Sequence, residues 1–333
     1  MNERKRFDVF GMCNALFDIQ AEVNDATLAD LNLAKGTMML LEEEQQRQIV
    51  PRIYTEIVNT EAGGSGANTM IGIALLGGAA CYTSRVGDDE HGHMYREGLA
   101  QKGVQPNLGV GAGHTGVSLI LVTPDAERTM CTYLGRSRDL GPEDVGVEDL
   151  RASRYLYVTG YLWDTERQKE AVLLAMREAN RAGVRVALSL SDPFCVARHK
   201  DDFGRLLRDH VDVVFANKDE AMAMTDTSDP YAAAEVLSGW SEVVAVTMDE
   251  RGSLLRQGDQ VFEIPVYPVA AVDTTGAGDM YAAGLLYGLT RGLPLDACGR
   301  IASWAAAQVV AQLGPRLDRL DREAVARLSG EGG

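Results

Sequence analysis

No stretch of the 333-residue chain runs for the ~18 uninterrupted apolar residues that a membrane span needs, which excludes a helical membrane protein. Cysteine is scarce and scattered: Cys13, Cys81, Cys131, Cys195 and Cys298 are odd in number and never form a C-x-x-C pair. That excludes a disulfide framework and a structural zinc site, and a reducing cytoplasm is the expected compartment. No Pro-rich, Ser-rich or single-charge block separates two halves, and no repeat is found; the longest glycine-rich patch, 109–116, is short and lies between apolar segments. The basic start Met1-Asn2-Glu3-Arg4-Lys5-Arg6 leads into Phe7-Asp8-Val9-Phe10-Gly11 and not into a long apolar core, so no signal peptide is expected. Positive charge is the scarcer sign, with 32 Lys and Arg against 48 Asp and Glu and a net charge of −16. Neither a nucleic acid nor an anionic membrane is attracted to such a surface. A small anionic substrate would need a local positive site.

Several catalytic signatures are missing as well. There is no G-x-x-x-x-G-K-[ST], no G-x-S-x-G and no H-E-x-x-H. Asp202-Phe203-Gly204 spells the magnesium tripeptide of protein kinases, but no H-R-D loop precedes it and no V-A-I-K strand exists, so it reads as coincidence.

What is present is ordinary globular material, 46% hydrophobic and 24% charged, enough to bury a large core. From about residue 155 onward short apolar strands alternate with amphipathic helices, which predicts an α/β fold with a parallel sheet covered on both faces. Residues 116–123 and 128–134, joined by the turn Pro124-Asp125-Ala126-Glu127, read as a β-hairpin and look like an appendage. Ligands of parallel sheets gather at the carboxyl ends of the strands. Asn14, Gly64, Asn217, Thr247 and Asp279 all follow predicted strands or lie in the turns after them.

Two glycine clusters open helices. Residues 266–272 are expected to form an apolar strand leading into Asp273-Thr274-Thr275-Gly276-Ala277-Gly278-Asp279 and then a helix. Unpaired backbone N–H groups there should make an anion site. Asp279 in the first helical turn is either a general base beside that site or a helix-capping carboxylate with tight-turn glycines. The other cluster, Glu61-Ala62-Gly63-Gly64-Ser65-Gly66-Ala67-Asn68-Thr69, opens a second apolar helix with Asn68 in its first turn; it lacks the third glycine of a dinucleotide fingerprint. Asn14 and Asp18 at a strand mouth form a pair able to chelate vicinal hydroxyls, although taken alone they are better explained by ordinary turn chemistry. Glu220, in Asn217-Lys218-Asp219-Glu220, fits either a magnesium ion held through water or an acidic helix start. His91 and His93 in a polar turn read as solvated, without a further metal ligand.

Taken in order along the chain, the cluster at 63–92, Asn217 to Glu220, Thr247 to Gly252 and the D-T-T-G-A-G-D string resemble the ribokinase/adenosine kinase (PfkB) family of small-molecule kinases. The resemblance implies a single ribokinase-like three-layer α/β/α domain with a small, discontinuous β lid from about 14–45 and 112–136. It implies Asp279 as catalytic base, and Gly276, Ala277 and Gly278 as the backbone anion hole. Asn217 and Glu220 would serve Mg²⁺ and phosphate; Thr247, Gly252 and Thr275 would help bind ATP; Asp273 would help hold a monovalent cation such as K⁺. Asn14-Ala15-Leu16-Phe17-Asp18-Ile19 resembles the nucleoside-type string of the family, with Cys13 in place of its glycine. On that likeness Asn14, Asp18, Gly63, Gly64 and Asn68 would bind ribose hydroxyls. Leu16, Leu40, Leu134 and Tyr161 would sandwich a base, and Arg138 would clamp nucleoside or phosphate. The implied activity is ATP-dependent phosphorylation of a nucleoside 5′-hydroxyl, adenosine first, by a monomer or homodimer. The alternatives are a kinase of ribose, fructose or a keto-deoxy sugar acid, and a catalytically silent nucleotide-binding relative.

Overall fold

The computed structural model describes residues 5–125 and 127–330, so the residues 1–4 of the basic start and Ala126 of the predicted turn lie outside the described residues. Fourteen strands follow one another among the described residues. They are β1 (Phe7–Met12), β2 (Leu16–Glu22), β3 (Met38–Leu40), β4 (Ile57–Gly63), β5 (Ala80–Gly87), β6 (Val104–Gly111) and β7 (Gly116–Val122). The second half adds β8 (Arg128–Tyr133), β9 (Ser153–Thr159), β10 (Arg185–Ser189), β11 (Val213–Asn217), β12 (Val243–Thr247), β13 (Ser253–Gln257) and β14 (Gln260–Ile264). They form a nine-stranded sheet in the order β14-β13-β12-β11-β10-β9-β1-β5-β6 and a five-stranded sheet in the order β3-β8-β7-β2-β4.

The large sheet is parallel from β12 to β6, with the hairpin β13–β14 added antiparallel at one edge. Its strands are apolar on both sides for a reason visible in β1. Val9 packs into one core with Met70, Ala283 and Ile301, while Phe10 and Met12 pack into the other with Ala175 and Leu207. Continuous apolar strands are what a sheet buried on both faces requires. The helices Ser65–Leu76, Ala277–Thr290 and Leu295–Val310 cover the first face. The helices Glu166–Arg181 and Pro193–Asp209 cover the second. Among the described residues no helix is long and apolar enough to cross a membrane.

The expected hairpin is present as β7 and β8, and it belongs to a sheet assembled from distant segments. That sheet reaches beyond the predicted segments 14–45 and 112–136, because β4 pairs antiparallel with β2. The sequence hides β4 because it is an edge strand whose middle residues Val58, Asn59 and Thr60 are exposed, so it shows no inward alternation. A second difference concerns 266–272, which form no strand. Pro265 and Pro268 lack the N–H groups a ladder needs, and Val266, Val269 and Val272 are exposed. The segment is instead tethered by Val272 N–H, which donates to the Val310 carbonyl at 2.8 Å.

Candidate active site

A cavity of about 1030 Å³ opens at the carboxyl ends of the large-sheet strands and is roofed by the small sheet. The register explains its floor. β11 and β12 end level with each other, so Asn217 and Thr247 are neighbours, and β1 and β9 deliver Asn14 and Tyr161 just beyond their last residues. Leu16, Asp18, Leu40, Gly64, Asn68, Leu134, Glu220, Thr275, Gly276, Gly278 and Asp279 also line it.

Asp279 sits where two helix N-termini converge. Gly72 has no side chain to hold the helices apart: a methyl group there would approach Ala283 Cβ to 2.7 Å, so Ser65–Leu76 and Ala277–Thr290 pack closely side by side. Ser65 Oγ then donates to Asp279 Oδ1 at 2.6 Å and Asn68 Nδ2 to Oδ2 at 2.9 Å. The carboxylate caps neither helix, since the helix it belongs to starts on Gly276. Screening from bulk water pushes its pKa up to about 6, while Ser65, Asn68 and the charge of Arg316 pull it down. Gly276 itself takes φ of 77°, a left-handed conformation, and a methyl group on it would meet the Pro315 carbonyl oxygen at 2.4 Å.

On the small-sheet side of the cavity Asp18 is buried, and burial pushes its carboxyl up to about 7 against the lowering effect of Arg316. Arg316 Nη2 lies 3.4 Å from Asp18 Oδ2. Asn14 lines the cavity with its amide partly engaged: Gln168 Nε2 donates to its Oδ1 at 2.7 Å, and its own Nδ2 donates to the Tyr161 carbonyl at 3.3 Å. The walls around this floor are apolar, formed by Leu16, Met38, Leu40, Ile120, Leu134 and Tyr161, with Phe194 at the rim 75% exposed.

On the opposite side Asn217 and Glu220 make a reciprocal cap. Glu220 N–H donates to Asn217 Oδ1 at 2.8 Å; Asn217 N–H and Nδ2 donate to the two Glu220 carboxylate oxygens at 3.0 and 2.7 Å. The helix-start reading of Glu220 therefore holds, and the same carboxylate faces the cavity. Burial pushes its carboxyl up to about 7. Each oxygen accepts one hydrogen bond and keeps a lone pair, which fits a divalent ion reached through water. Among the described residues no cluster of three His, Cys, Asp or Glu side chains is positioned to hold a metal directly.

Five sequence expectations are corrected by this geometry, since none of these residues lines the cavity. Arg138 is exposed and borders a separate hollow of about 460 Å³ with Glu42 and Thr165, because the 3₁₀ turn Gly135–Asp139 carries it away from the cavity. Gly252 is not on the cavity wall; it turns the chain into β13 against the Ile264 carbonyl. Ala277 is off the wall too, and its N–H donates to the Thr274 carbonyl at 3.2 Å, which leaves Gly276 and Gly278 as the lining members of the trio. Asp273 is not arranged to hold a monovalent cation. Its oxygens pair with the Arg128 guanidinium and accept from Thr275 N–H at 3.0 Å and Gly314 N–H at 2.7 Å, so a positive charge is already in place. Gly63 also stands behind the wall: it accepts from Tyr95 Oη at 2.8 Å, and its missing side chain makes room for the Asp18 carboxylate.

Sequence reasoning missed Ser65, Arg128, Phe194 and Arg316. Ser65 had a signal, a hydroxyl in the first turn of a glycine-opened helix. Arg128 starts β8, where it donates to Thr275 Oγ1 at 2.7 Å, and neither it nor Arg316 carries any local motif. His91 and His93 lie in the first turn of the helix Glu90–Gln101 and not in a solvated turn; His91 stacks on Phe17 with ring centroids 4.7 Å apart. Asp202 accepts from Trp163 Nε1 at 2.8 Å and Phe203 is core, which agrees with reading that tripeptide as coincidence.

Residues 37–322 match the pattern of the pfkB family carbohydrate kinases. A probable sugar kinase from Rhizobium etli CFN 42 superposes with a TM-score of 0.90 at 38% identity, over 98% of this chain and 99% of that one. The adenosine kinase from Sinorhizobium meliloti superposes with a TM-score of 0.87, also at 38% identity, over 97% and 99%. A fructokinase from Klebsiella pneumoniae is 31% identical over 249 residues, 70% of this chain and 78% of the fructokinase.

Proposed function

The chain belongs to the pfkB family of carbohydrate kinases, and we propose that it transfers the γ-phosphoryl group of ATP to the 5′-hydroxyl of a nucleoside, adenosine foremost. The observation that carries this reading is the contrast within the acceptor side of the cavity. A hydroxyl-binding floor of Asp18, Gly64 and Asn68 lies beneath apolar walls of Leu16, Leu40, Ile120, Leu134, Tyr161 and Phe194. A free sugar presents polar groups all round and would leave those walls wetted; a nucleoside matches a diol to the floor and a flat base to the walls. The likeness to the Sinorhizobium meliloti adenosine kinase supports it.

In this reading Asp279 takes the proton from the acceptor hydroxyl as it attacks phosphorus, with Ser65 and Asn68 holding its two oxygens. The N–H groups of Gly276 and Gly278 face the charge that develops on the transferring group. Arg128, brought by β8 to Thr275, adds a positive charge at the same end and ties the small sheet to the anion site. The small sheet acts as a lid that excludes water. The divalent ion that kinases use with ATP would be reached through water by Glu220 beside Asn217, where it neutralises phosphate charge.

A sugar kinase is the second reading, favoured by the likeness to the Rhizobium etli probable sugar kinase and to fructokinase. Within it, a sugar acid fits worst. The acceptor floor sets Asp18, Glu61 and Asp279 against one guanidinium, Arg316, and Arg198 at the cavity is paired with Asp164. A carboxylated acceptor would meet uncompensated negative charge. A coupled assay with MgATP and adenosine, inosine, guanosine, cytidine, ribose or fructose tests these readings. The expected result is turnover of nucleosides with kcat/KM at least about tenfold above either sugar, the worth of one buried apolar contact. Turnover of free sugars without nucleosides would sink the nucleoside reading, and no turnover at all would favour a silent nucleotide-binding protein.

A further inference from the structure

The acceptor floor and Asp279 are joined by a side chain that the mechanism has not yet used. Arg316 is only 6% exposed and lies behind the cavity wall, where Nε donates to Asn68 Oδ1 at 2.6 Å, Nη2 meets Asp18 Oδ2 at 3.4 Å and Nη1 meets Glu61 Oε2 at 3.1 Å. Asp18 on β2 and Glu61 on β4 are register partners, so one guanidinium spans both. The arginine is itself anchored. Two residues earlier Gly314 N–H donates to Asp273, and Pro315 carries the carbonyl that packs on Gly276. The tripeptide Gly314-Pro315-Arg316 therefore touches the start of the anion motif, its turn and the acceptor floor.

The Asn68 amide has two chemically different ends, and Asp279 can use only one. A carboxylate needs the N–H end; the oxygen end would repel it. Arg316 can only donate, so it holds Oδ1 toward itself and thereby turns Nδ2 toward Asp279. We propose that Arg316 is a positioning residue that couples acceptor binding to proton removal, fixing the Asn68 amide so that it presents N–H to Asp279 and holding the Asp18 carboxylate where acceptor hydroxyls arrive. A bound acceptor that engages Asp18 thus tightens the same guanidinium that orients the base. The inference rests on Asp279 as base and Asp18 as the hydroxyl ligand. It goes beyond that reading in assigning the link to a residue outside every motif.

The charge of Arg316 also lowers the proton affinity of both Asp18 and Asp279. Its removal lets both carboxyls bind protons at higher pH, so the acid side of the pH–rate profile moves upward. Facing the pair are Glu61, Arg316 and each other, together with Cys13, Tyr157 and Tyr161 beside Asp279 and Tyr95 beside Asp18, all four kept neutral by burial that pushes their own titration up.

Arg316→Met and Arg316→Lys test this with the best acceptor of the panel. Arg316→Met is expected to lose on the order of 10²-fold in kcat through misplacement of the base, and to raise the acceptor KM about tenfold, with the ATP KM within about twofold of the parent. Its acid limb should move up by about one pH unit. Arg316→Lys restores a point charge without the fork, so it should return the limb toward its parental position while recovering little kcat. Asn68→Ala and Arg316→Met combined should cost scarcely more than either alone, since both break one link. Unchanged acceptor KM, kcat and limb in Arg316→Met, or equal loss for ATP and acceptor with no shift of the limb, would overturn the coupling role. Carboxyl ¹³C titration of the unliganded protein gives a readout independent of turnover: two carboxyl resonances should titrate higher in Arg316→Met and return in Arg316→Lys. If the parent turns over nothing in the panel but those resonances still move, the functional reading fails and the link stands; if the parent is active and they stay put, the link fails alone.

Discussion

Asp279→Asn binds ATP as tightly as the parent and turns over about 10²- to 10⁴-fold more slowly, the range a single general base contributes. The substitution preserves size, and an amide can still hydrogen-bond to Ser65 Oγ and, after rotation, meet Asn68, so the folded site survives. What disappears is the capacity to accept a proton from the acceptor. Isothermal titration with ATP, run beside steady-state kinetics, separates the two effects; near-normal kcat in the variant would remove Asp279 from the chemistry. The pH profile gives the same residue a second test. Asp279 is raised to about 6 and Asp18 to about 7, so at low pH both are protonated and neither can act as base or as ionised ligand. For a raised carboxyl the active form appears as pH rises through the folded pKa. The profile of kcat/KM should therefore fall below about pH 7 and steepen near pH 6, with apparent values that belong to the pair. Asp18→Asn should remove the upper step and leave a single limb near 6. A flat profile between pH 5 and 8 would contradict the assignment, because both raised carboxyls titrate within that span.

Gly276→Ala is the second large effect, expected to lower kcat by about 10²- to 10³-fold, the loss associated with one anion-hole donor. Two causes act together. The backbone at 276 is left-handed, φ 77°, which a β-carbon disfavours, and that carbon would sit 2.4 Å from the Pro315 carbonyl oxygen. Something must shift, and the pieces that can shift are the turn that presents the N–H groups and the Gly314-Pro315-Arg316 arch. Circular dichroism and the melting temperature establish that the variant is folded, and kinetics with saturating ATP and acceptor then read the donor geometry. A folded Gly276→Ala protein with parental kcat would mean that these N–H groups do not face the transferring group.

Much of the local structure around Asp279 was legible in the chain. D-T-T-G-A-G-D announces a glycine turn, a helix start and a carboxylate within seven residues, because each demand is local: positive φ, free N–H groups, a short tether. The alternating strands and helices from 153 to 264 were legible for a similar reason, since a strand buried on both faces writes an apolar run that survives without tertiary context. The strand expected at 266–272 shows the limit of that inference. Three valines there suit a strand by composition, but the prolines at 265 and 268 and the absence of a neighbour to pair with decide otherwise. Arg138 fails for a related reason: an arginine near a β-hairpin says nothing of which way a 3₁₀ turn will carry it.

By itself the sequence determined the local chemistry, namely which residues carry a carboxylate, which turns need glycine, and which segments must be strands in a covered sheet. Only the tertiary structure decided which distant groups meet. Asn68 and Ser65 reach Asp279 because Gly72 lets two helices close, Arg128 reaches Asp273 because β8 belongs to a sheet whose five strands come from four separated segments, and Arg316 reaches Asp18, Glu61 and Asn68 across some 250 to 300 residues of chain. Hydrogen bonds and ion pairs act only between groups that packing brings close, so partners so far apart in the chain leave no periodicity to read; their meeting is a property of packing, and packing is where Asp18, Asn68 and Asp279 come to line one cavity.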